Sequence, residues 1–138
     1  MTNNDLLAIA SEFGNPLYVY DAAKIASQYQ RLTSAFSNIG DLRTNYAAKA
    51  SSNVSILKLM RQLGSGLDTV SIQEVQLGLA AGFEPQAIIY TPNGVSLKEI
   101  EEVAKMGVQI NIDNLSLLEQ FGTRHPKTPV CIRINPHV

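Results

Sequence analysis

The sequence has a single cysteine, no long apolar run and no basic leader. Because Cys131 is the only cysteine among 138 residues, the chain cannot form an internal disulfide, which favours a reducing compartment over a secreted, disulfide-bonded scaffold. No apolar run approaches the roughly 20 residues that a membrane helix needs. The first five residues also lack the positive charge of a signal peptide. We therefore expect a soluble, cytoplasmic protein that does not enter a membrane.

Charge is scarce and balanced. Charged residues make up 17% of the chain, and 11 Lys and Arg against 12 Asp and Glu leave a formal net charge of −1. Such a chain lacks the basic surface with which proteins bind phosphate backbones, so we expect no nucleic-acid partner. With 45% hydrophobic residues, it is too apolar for a disordered tail and can form a packed core. Composition predicts a globular domain and no particular activity.

Short apolar runs alternate with segments of helical periodicity. The strand candidates are residues 44–48, 67–70, 88–90, 108–112 and 130–134. Between them lie four predicted helices, which run from Asn53 to Leu63, from Ser71 to Ala81, from Ser96 to Met106, and from Asp113 or Asn114 to Gly122. A further helix, capped by Asp21, precedes the first strand. This alternation is typical of βα units in a parallel sheet.

Helix capping explains one conspicuous motif. Ser71 and Glu74 have the spacing of a capping box, in which the serine hydroxyl accepts a helical N–H and the glutamate accepts the N–H of the serine. The order of elements is compatible with a doubly wound sheet and with a (β/α)₈ barrel, and the pattern does not choose between them. A barrel takes roughly 250 residues, so a barrel would be incomplete within this chain.

Chemistry in parallel α/β proteins lies at the carboxyl ends of strands. Lys49 ends an uncharged stretch, and a lysine kept neutral by burial can attack a carbonyl carbon and form a Schiff base. The plainer interpretation is a solvated loop lysine. Asp68 could face Lys49 from the adjacent strand, or could simply accept hydrogen bonds from the backbone. The complete set of strand-end candidates is Lys49, Ser51, Asp68, Ser71, Thr91, Asn93, Asp113 and Arg133.

Other familiar motifs are missing. The pair Gly64 and Gly66 precedes a strand instead of opening a helix and lacks a third glycine, so it is not a dinucleotide fingerprint. His125 lies in a polar loop, where we expect it to be solvated, and His137 near the fifth strand has no assigned role. Cys131 lies in an apolar strand and is expected to be a small core residue. The sequence therefore predicts no metal site and no Cys–His pair.

Several motifs, taken in order, resemble the pyridoxal-phosphate-dependent amino-acid decarboxylases that have an alanine-racemase-like barrel. The segment Tyr46-Ala47-Ala48-Lys49-Ala50 is similar to that family's Tyr-Ala-Val-Lys-Ala-Asn signature. Two departures are Ala48 in place of valine and Ser51 in place of asparagine, which removes an amide near the cofactor. The remaining matches cover the chain from about Asn15 onward, at residues 16–21, 64–71 with Glu74, 80–83, 88–94 and 133–136.

The resemblance implies a fold and a site. Residues 1–138 would be the N-terminal portion of a pyridoxal-phosphate-binding (β/α)₈ TIM barrel of fold type III, with about five strands, and the rest of the barrel and a C-terminal β-domain would be absent. Lys49 would be the lysine that binds pyridoxal 5'-phosphate covalently. Asp68 would be the carboxylate near that lysine, and Arg133 would donate to the phenolic oxygen of the cofactor. Ser71 and Glu74 could belong to the same neighbourhood, although capping explains both.

The resemblance also implies an activity, the decarboxylation of an α-amino acid. It is strongest to the members that convert meso-diaminopimelate into L-lysine and carbon dioxide, the last step of lysine biosynthesis, and that complete their active sites across a homodimer. The isolated 138-residue chain should then be inactive. Three alternatives remain open: a related decarboxylase of ornithine, arginine or carboxynorspermidine, a small pyridoxal-phosphate-binding homeostasis protein, and a non-catalytic interaction module.

Overall fold

The computed structural model describes residues 1–134 and Pro136, and it contains two compact units, residues 1–40 and residues 41–138. The first unit consists of helices α1 (Asn3–Phe13) and α2 (Ala22–Ala35). Helix α2 begins at the predicted cap, Asp21, whose carboxylate accepts the Lys24 N–H. Helix α1 was not predicted, although Thr2 and Asp5 form a reciprocal capping box at its start. No helix among the described residues is long and apolar enough to span a membrane.

The second unit alternates strands and helices, as the sequence predicts. Its strands are β1 (Asn45–Ala47), β2 (Gly66–Thr69), β3 (Ile88–Tyr90), β4 (Gln109–Ile112) and β5 (Cys131–Ile132). Its helices are α3 (Val54–Gln62), α4 (Ile72–Ala80), α5 (Leu97–Ala104) and α6 (Leu115–Arg124). Short 3₁₀ turns at Ala48–Ala50 and Pro85–Ala87 follow β1 and precede β3.

Strand order decides between the two architectures that the sequence left open. The five strands are all parallel and lie in the order β1-β2-β3-β4-β5, so every strand pairs with its sequence neighbour. A doubly wound sheet reverses direction at a switch point, and the described strands contain no such reversal. Sequential order is the topology of a (β/α)₈ barrel, here as an open five-stranded sheet.

Side-chain capping starts each helix of the second unit. The side chains of Asn53, Ser71, Ser96 and Asn114 each accept a backbone N–H from the first turn of α3, α4, α5 and α6 respectively. These caps confirm the predicted starts and choose Asn114 over Asp113 for α6.

Two details of the predicted helices were wrong. Glu74 accepts the N–H of Val70 at 2.8 Å, not that of Ser71, so the capping box is displaced by one residue. Helix α6 continues through Gly122 to Arg124, because a glycine inside a helix costs only about 1 kcal/mol and does not by itself end it.

The helices cover one face of the sheet, which we call the outer face. Alternate strand residues point to this face and form the core with apolar residues of the helices. The most buried strand residues on it are Leu67, Thr69, Ile88, Tyr90, Ile110 and Ile112. The opposite, inner face carries the other half of each strand. Its side chains are polar or only partly buried, and they position the candidate site.

Candidate active site

A line of polar side chains crosses the inner face of the sheet. Asn111 of β4 donates from Nδ2 to Thr91 Oγ1 at 2.9 Å, and Thr91, directly after β3, donates to Asp68 Oδ1 at 3.2 Å. Gln109 Nε2 lies 3.4 Å from Asn111 Oδ1 and 3.4 Å from Cys131 Sγ. We call these five residues the inner-face polar line. It connects β5 to β2 and ends at the carboxylate that the resemblance assigned to the cofactor site.

Lys49 lies in the 3₁₀ turn that follows β1, at the carboxyl edge of the sheet. Its side chain is exposed among the described residues, which therefore do not bury the amine themselves. The turn itself is held in place, because the Tyr46 hydroxyl donates to the Ser51 carbonyl oxygen at 3.1 Å. Ala48, which replaces the family's valine, is buried at the start of the turn and does not extend the strand as predicted.

Asp68 lies near the end of β2, opposite Ala47 of β1, and is half-buried on the inner face. The alternative interpretation was a carboxylate bound by backbone N–H groups. Among the described residues, the hydrogen bond that Asp68 accepts comes instead from the Thr91 hydroxyl. Gly66, two residues earlier, leaves room for a neighbour: a methyl group built on it would overlap the Asn45 side chain. The inner face of β2 is therefore shaped around close polar neighbours.

Arg133 follows β5, and its N–H donates to the Ile112 carbonyl oxygen at 2.9 Å, so it continues the pairing of β5 with β4. Its side chain is exposed, and strand alternation continued past β5 would place it on the same side as Cys131, two residues earlier. Cys131 was predicted to be a core residue. It is exposed, because it points to the inner face and not to the helices.

The remaining strand-end candidates serve local structure or lie apart from the line. Ser71 caps α4, and Ser51 is bound through its carbonyl group. Asn93 and Asp113 line a separate surface cavity of about 560 Å³. His125 was expected to be solvated. It instead is the C-cap of α6, packs its ring at a tilt against Phe121 with ring centroids 4.8 Å apart and lies 3.1 Å from Glu101 Oε1. Asn135, which belongs to the last motif, and His137, which was given no role, lie outside the described residues.

Sequence reasoning missed Gln109 and Asn111. Their signal was present in β4, where the order Gln109-Ile110-Asn111-Ile112 alternates polar and apolar residues. In a strand, this alternation places both amides on one face and both isoleucines on the other. The alternation was overlooked because the strands of a parallel sheet were expected to be covered, and therefore apolar, on both faces.

Fold and edge chemistry together define a class: a parallel barrel-type sheet whose carboxyl edge carries an amine, a carboxylate and a guanidinium. The family model described as "Pyridoxal-dependent decarboxylase, pyridoxal binding domain" matches residues 22–138. The chain belongs to this family.

Individual relatives agree with the family. The chain is 38% identical over 136 residues to diaminopimelate decarboxylase of Methanothermobacter thermautotrophicus, covering 97% of the chain and 32% of that protein. It is 39% identical over 135 residues to diaminopimelate decarboxylase of Streptomyces coelicolor, covering 95% and 29%. The crystal structure of diaminopimelate decarboxylase from Helicobacter pylori complexed with L-lysine superposes with a TM-score of 0.82 and 35% identity, covering 99% of the chain and 35% of the other. The chain thus spans about a third of the length of these relatives.

The described residues fit part of a pyridoxal phosphate site. The cofactor carries an aldehyde, a ring and several anionic or accepting oxygens, and needs a primary amine and polar donors. Lys49 offers an accessible amine on a turn that Tyr46 holds, and Arg133 offers an accessible donor fork at the same edge. The inner-face polar line places hydroxyl, amide and carboxylate groups on the side of the sheet that the helices leave open.

Proposed function

We propose that this chain belongs to a pyridoxal-phosphate-dependent enzyme that decarboxylates meso-diaminopimelate to L-lysine and carbon dioxide. The observation that carries the proposal is the position of Lys49, Asp68 and Arg133, each at the carboxyl end of a strand in a sheet with the family's topology. The names of the similar proteins, and the L-lysine in one of their structures, support this substrate.

In this proposal Lys49 is the catalytic residue that carries the cofactor. A primary amine condenses with an aldehyde, and the exposed Nζ of Lys49 is free to do so. The hydrogen bond from Tyr46 to Ser51 closes the turn around Lys49 and limits the range of positions that its backbone can take. When bound, pyridoxal phosphate supplies an electron sink for the electron pair released as a carbon–carbon bond of the amino acid breaks.

Asp68 and Arg133 would set the charge around the cofactor. Asp68 is an anion on β2, the strand that pairs with the strand leading into Lys49, and would favour a protonated or cationic group beside it. Arg133 is a permanent cation whose planar fork would donate to an oxygen of the cofactor. The two side chains come from opposite parts of the sheet, so a ligand that met both would lie over its inner face.

The proposal is tested on the full-length protein supplied with pyridoxal phosphate and meso-diaminopimelate. We expect lysine and carbon dioxide to form in equal amounts, Lys49→Ala to abolish both, and Lys58→Ala, which removes an exposed lysine from α3, to leave the rate unchanged. Ornithine and arginine are offered in parallel. If carbon dioxide is released faster from either of them than from meso-diaminopimelate, that amino acid replaces meso-diaminopimelate as the proposed substrate. Cofactor binding without turnover of any of the three would indicate a non-catalytic binding protein.

We also propose a homodimer in the cytoplasm for the full-length enzyme. The homodimer follows from the resemblance to decarboxylases that complete their active sites across one, whereas the exposed apolar side chains of Leu115, Ile132 and Ile134 lie at the open end of the sheet, where the rest of the barrel would cover them. The free, exposed thiol of Cys131 suits a reducing compartment. Light scattering after size-exclusion chromatography tests the first statement, and a monomer at micromolar concentration would contradict it. Cell fractionation tests the second.

A further inference from the structure

Between Gln109 and Asp68, the hydrogen bonds of the inner-face polar line run in one direction. A carboxylate only accepts hydrogen bonds, so Thr91 must direct its single hydroxyl proton to Asp68 Oδ1. The Thr91 oxygen can then only accept from Asn111, which presents its NH₂ group at 2.9 Å. The Asn111 oxygen is left facing Gln109, whose amide nitrogen donates to it. From Gln109 through Asn111 and Thr91, the donors point toward Asp68, whereas the contact of Gln109 Nε2 with Cys131 Sγ points away from it.

The strand register explains why these side chains meet. Ile89 pairs with Gln109 and Tyr90 with Ile110, so Thr91 comes beside Asn111 on the neighbouring strand. Asp68 pairs with Ile89, which places the carboxylate diagonally from Thr91 on the same face. The contact therefore depends on three adjacent strands of the barrel, and a change in any one of them would move the carboxylate.

We propose that Thr91 and Asn111 are positioning residues for Asp68. Thr91 holds Oδ1, and Asn111 holds the Thr91 hydroxyl in the orientation that donates. Among the hydrogen bonds of the described residues, none involves Asp68 Oδ2, so this oxygen stays available for the group carried at the strand ends. The inference rests on the proposed function, because that group is the cofactor proposed to be attached at Lys49.

A purely structural role would give a different pattern of variant effects. If the two residues only held strands together, their replacement would lower stability and leave the affinity for the ligand unchanged. If Asn111 acts through Thr91, removing Asn111 has no further effect once the Thr91 hydroxyl is gone. Because the two side chains are hydrogen-bonded to each other, their effects on stability are coupled in either case, and it is the coupling in cofactor affinity that distinguishes positioning from simple packing.

The test measures the dissociation constant of pyridoxal phosphate for the full-length protein by absorbance titration. We expect Thr91→Val to weaken binding about tenfold, as for loss of one hydrogen bond to a charged group, and Thr91→Ser to stay within about twofold of wild type. Asn111→Ala should weaken binding by about threefold alone and by nothing further in the Thr91→Val background. The matched control is Thr69→Val, which makes the same change on the outer face of β2, where the hydroxyl donates to the Ile89 carbonyl oxygen at 2.9 Å. It should lower the melting temperature and leave the affinity within about twofold.

The proposal is overturned if the effects of Thr91→Val and Asn111→Ala on the dissociation constant multiply in the double variant. It is also overturned if Thr91→Ser binds as weakly as Thr91→Val, or if Thr69→Val weakens binding as much as Thr91→Val does. Wild-type protein that binds no pyridoxal phosphate would overturn the proposed function instead. In that case, crystal structures of the cofactor-free Thr91→Val and Thr91→Ser variants test whether Thr91 positions Asp68. A carboxylate of Asp68 displaced only in the valine variant supports it, and an unmoved carboxylate in both contradicts it.

Discussion

Replacing Tyr90 with phenylalanine removes one hydroxyl from the packed face of the sheet. Tyr90 is fully buried, and its hydroxyl donates to Glu99 Oε1 at 2.6 Å, which joins β3 to α5. A hydrogen bond to a charged group contributes about 1.5–3 kcal/mol. Glu99 is only half-buried and also accepts the Ile72 N–H at 3.4 Å, so it is not left without a partner. We therefore expect Tyr90→Phe to lower the free energy of unfolding by about 2 kcal/mol at neutral pH.

The same contact makes the stability fall in alkaline solution. Burial, and then the hydrogen bond to Glu99 and its charge, raise the pKa of Tyr90 above the usual value. The folded protein keeps a proton that the unfolded chain loses, so the contribution is complete below about pH 10 and is lost as the pH rises further. At pH 11 the ionisation of one tyrosine in the unfolded chain lowers the free energy of the unfolded state by about 1.4 kcal/mol. The advantage of wild type over Tyr90→Phe should shrink by that amount.

Urea unfolding of the full-length protein at pH 8 and at pH 11 measures both effects. Tyr18→Phe is the matched control, since Tyr18 is 92% exposed and its replacement should change the free energy of unfolding by less than about 0.5 kcal/mol. Equal stability of wild type and Tyr90→Phe at pH 8 would refute the hydrogen-bond estimate. A difference that is the same at pH 8 and pH 11 would refute the argument from burial.

Three further substitutions test packing and charge. Gly66→Ala should lower the free energy of unfolding by about 1–3 kcal/mol because its methyl group would overlap the Asn45 side chain and come within 2.9 Å of the Ala87 carbonyl oxygen, a backbone atom. Gly122→Ala, in open space inside α6, should raise it by up to about 1 kcal/mol in the same urea titrations. Equal signs would contradict the packing argument. The hydrogen bond with His125 is the largest of the causes that lower the pKa of Glu101. The ionised Glu101 therefore stabilises the folded protein above the ordinary pKa of glutamate, and this stabilisation is lost as the pH falls through the lowered pKa. Wild type should therefore lose its advantage over Glu101→Gln on acidification in thermal melts, and an advantage that grows toward low pH would contradict the assignment.

The order of elements was predictable because local chemistry specifies it. Asn53, Ser71 and Ser96 cap their helices as their positions indicate, and the short apolar runs between helices form strands. The choice between barrel and doubly wound sheet was not predictable from these signals, since both use the same βαβ units. Strand order depends on which strands pair, and pairing is a long-range property.

The candidate site was predictable in its positions and not in its contacts. Strand ends could be located from the sequence, so Asp68 and Thr91 were both selected, but their hydrogen bond depends on the register of β2 against β3. Cys131 was misjudged because an apolar strand was taken to be covered on both faces. His125 was misjudged because its partner, Glu101, lies 24 residues away on another helix.

The central claim is that Lys49 carries the cofactor, and chemical trapping tests it most directly. The full-length protein is incubated with pyridoxal phosphate, reduced with borohydride, digested and analysed by mass spectrometry. We predict a phosphopyridoxyl adduct on the peptide that contains Lys49, retained in Lys58→Ala and lost in Lys49→Ala. An adduct on a different lysine, with labelling of Lys49→Ala equal to that of wild type, would contradict the claim.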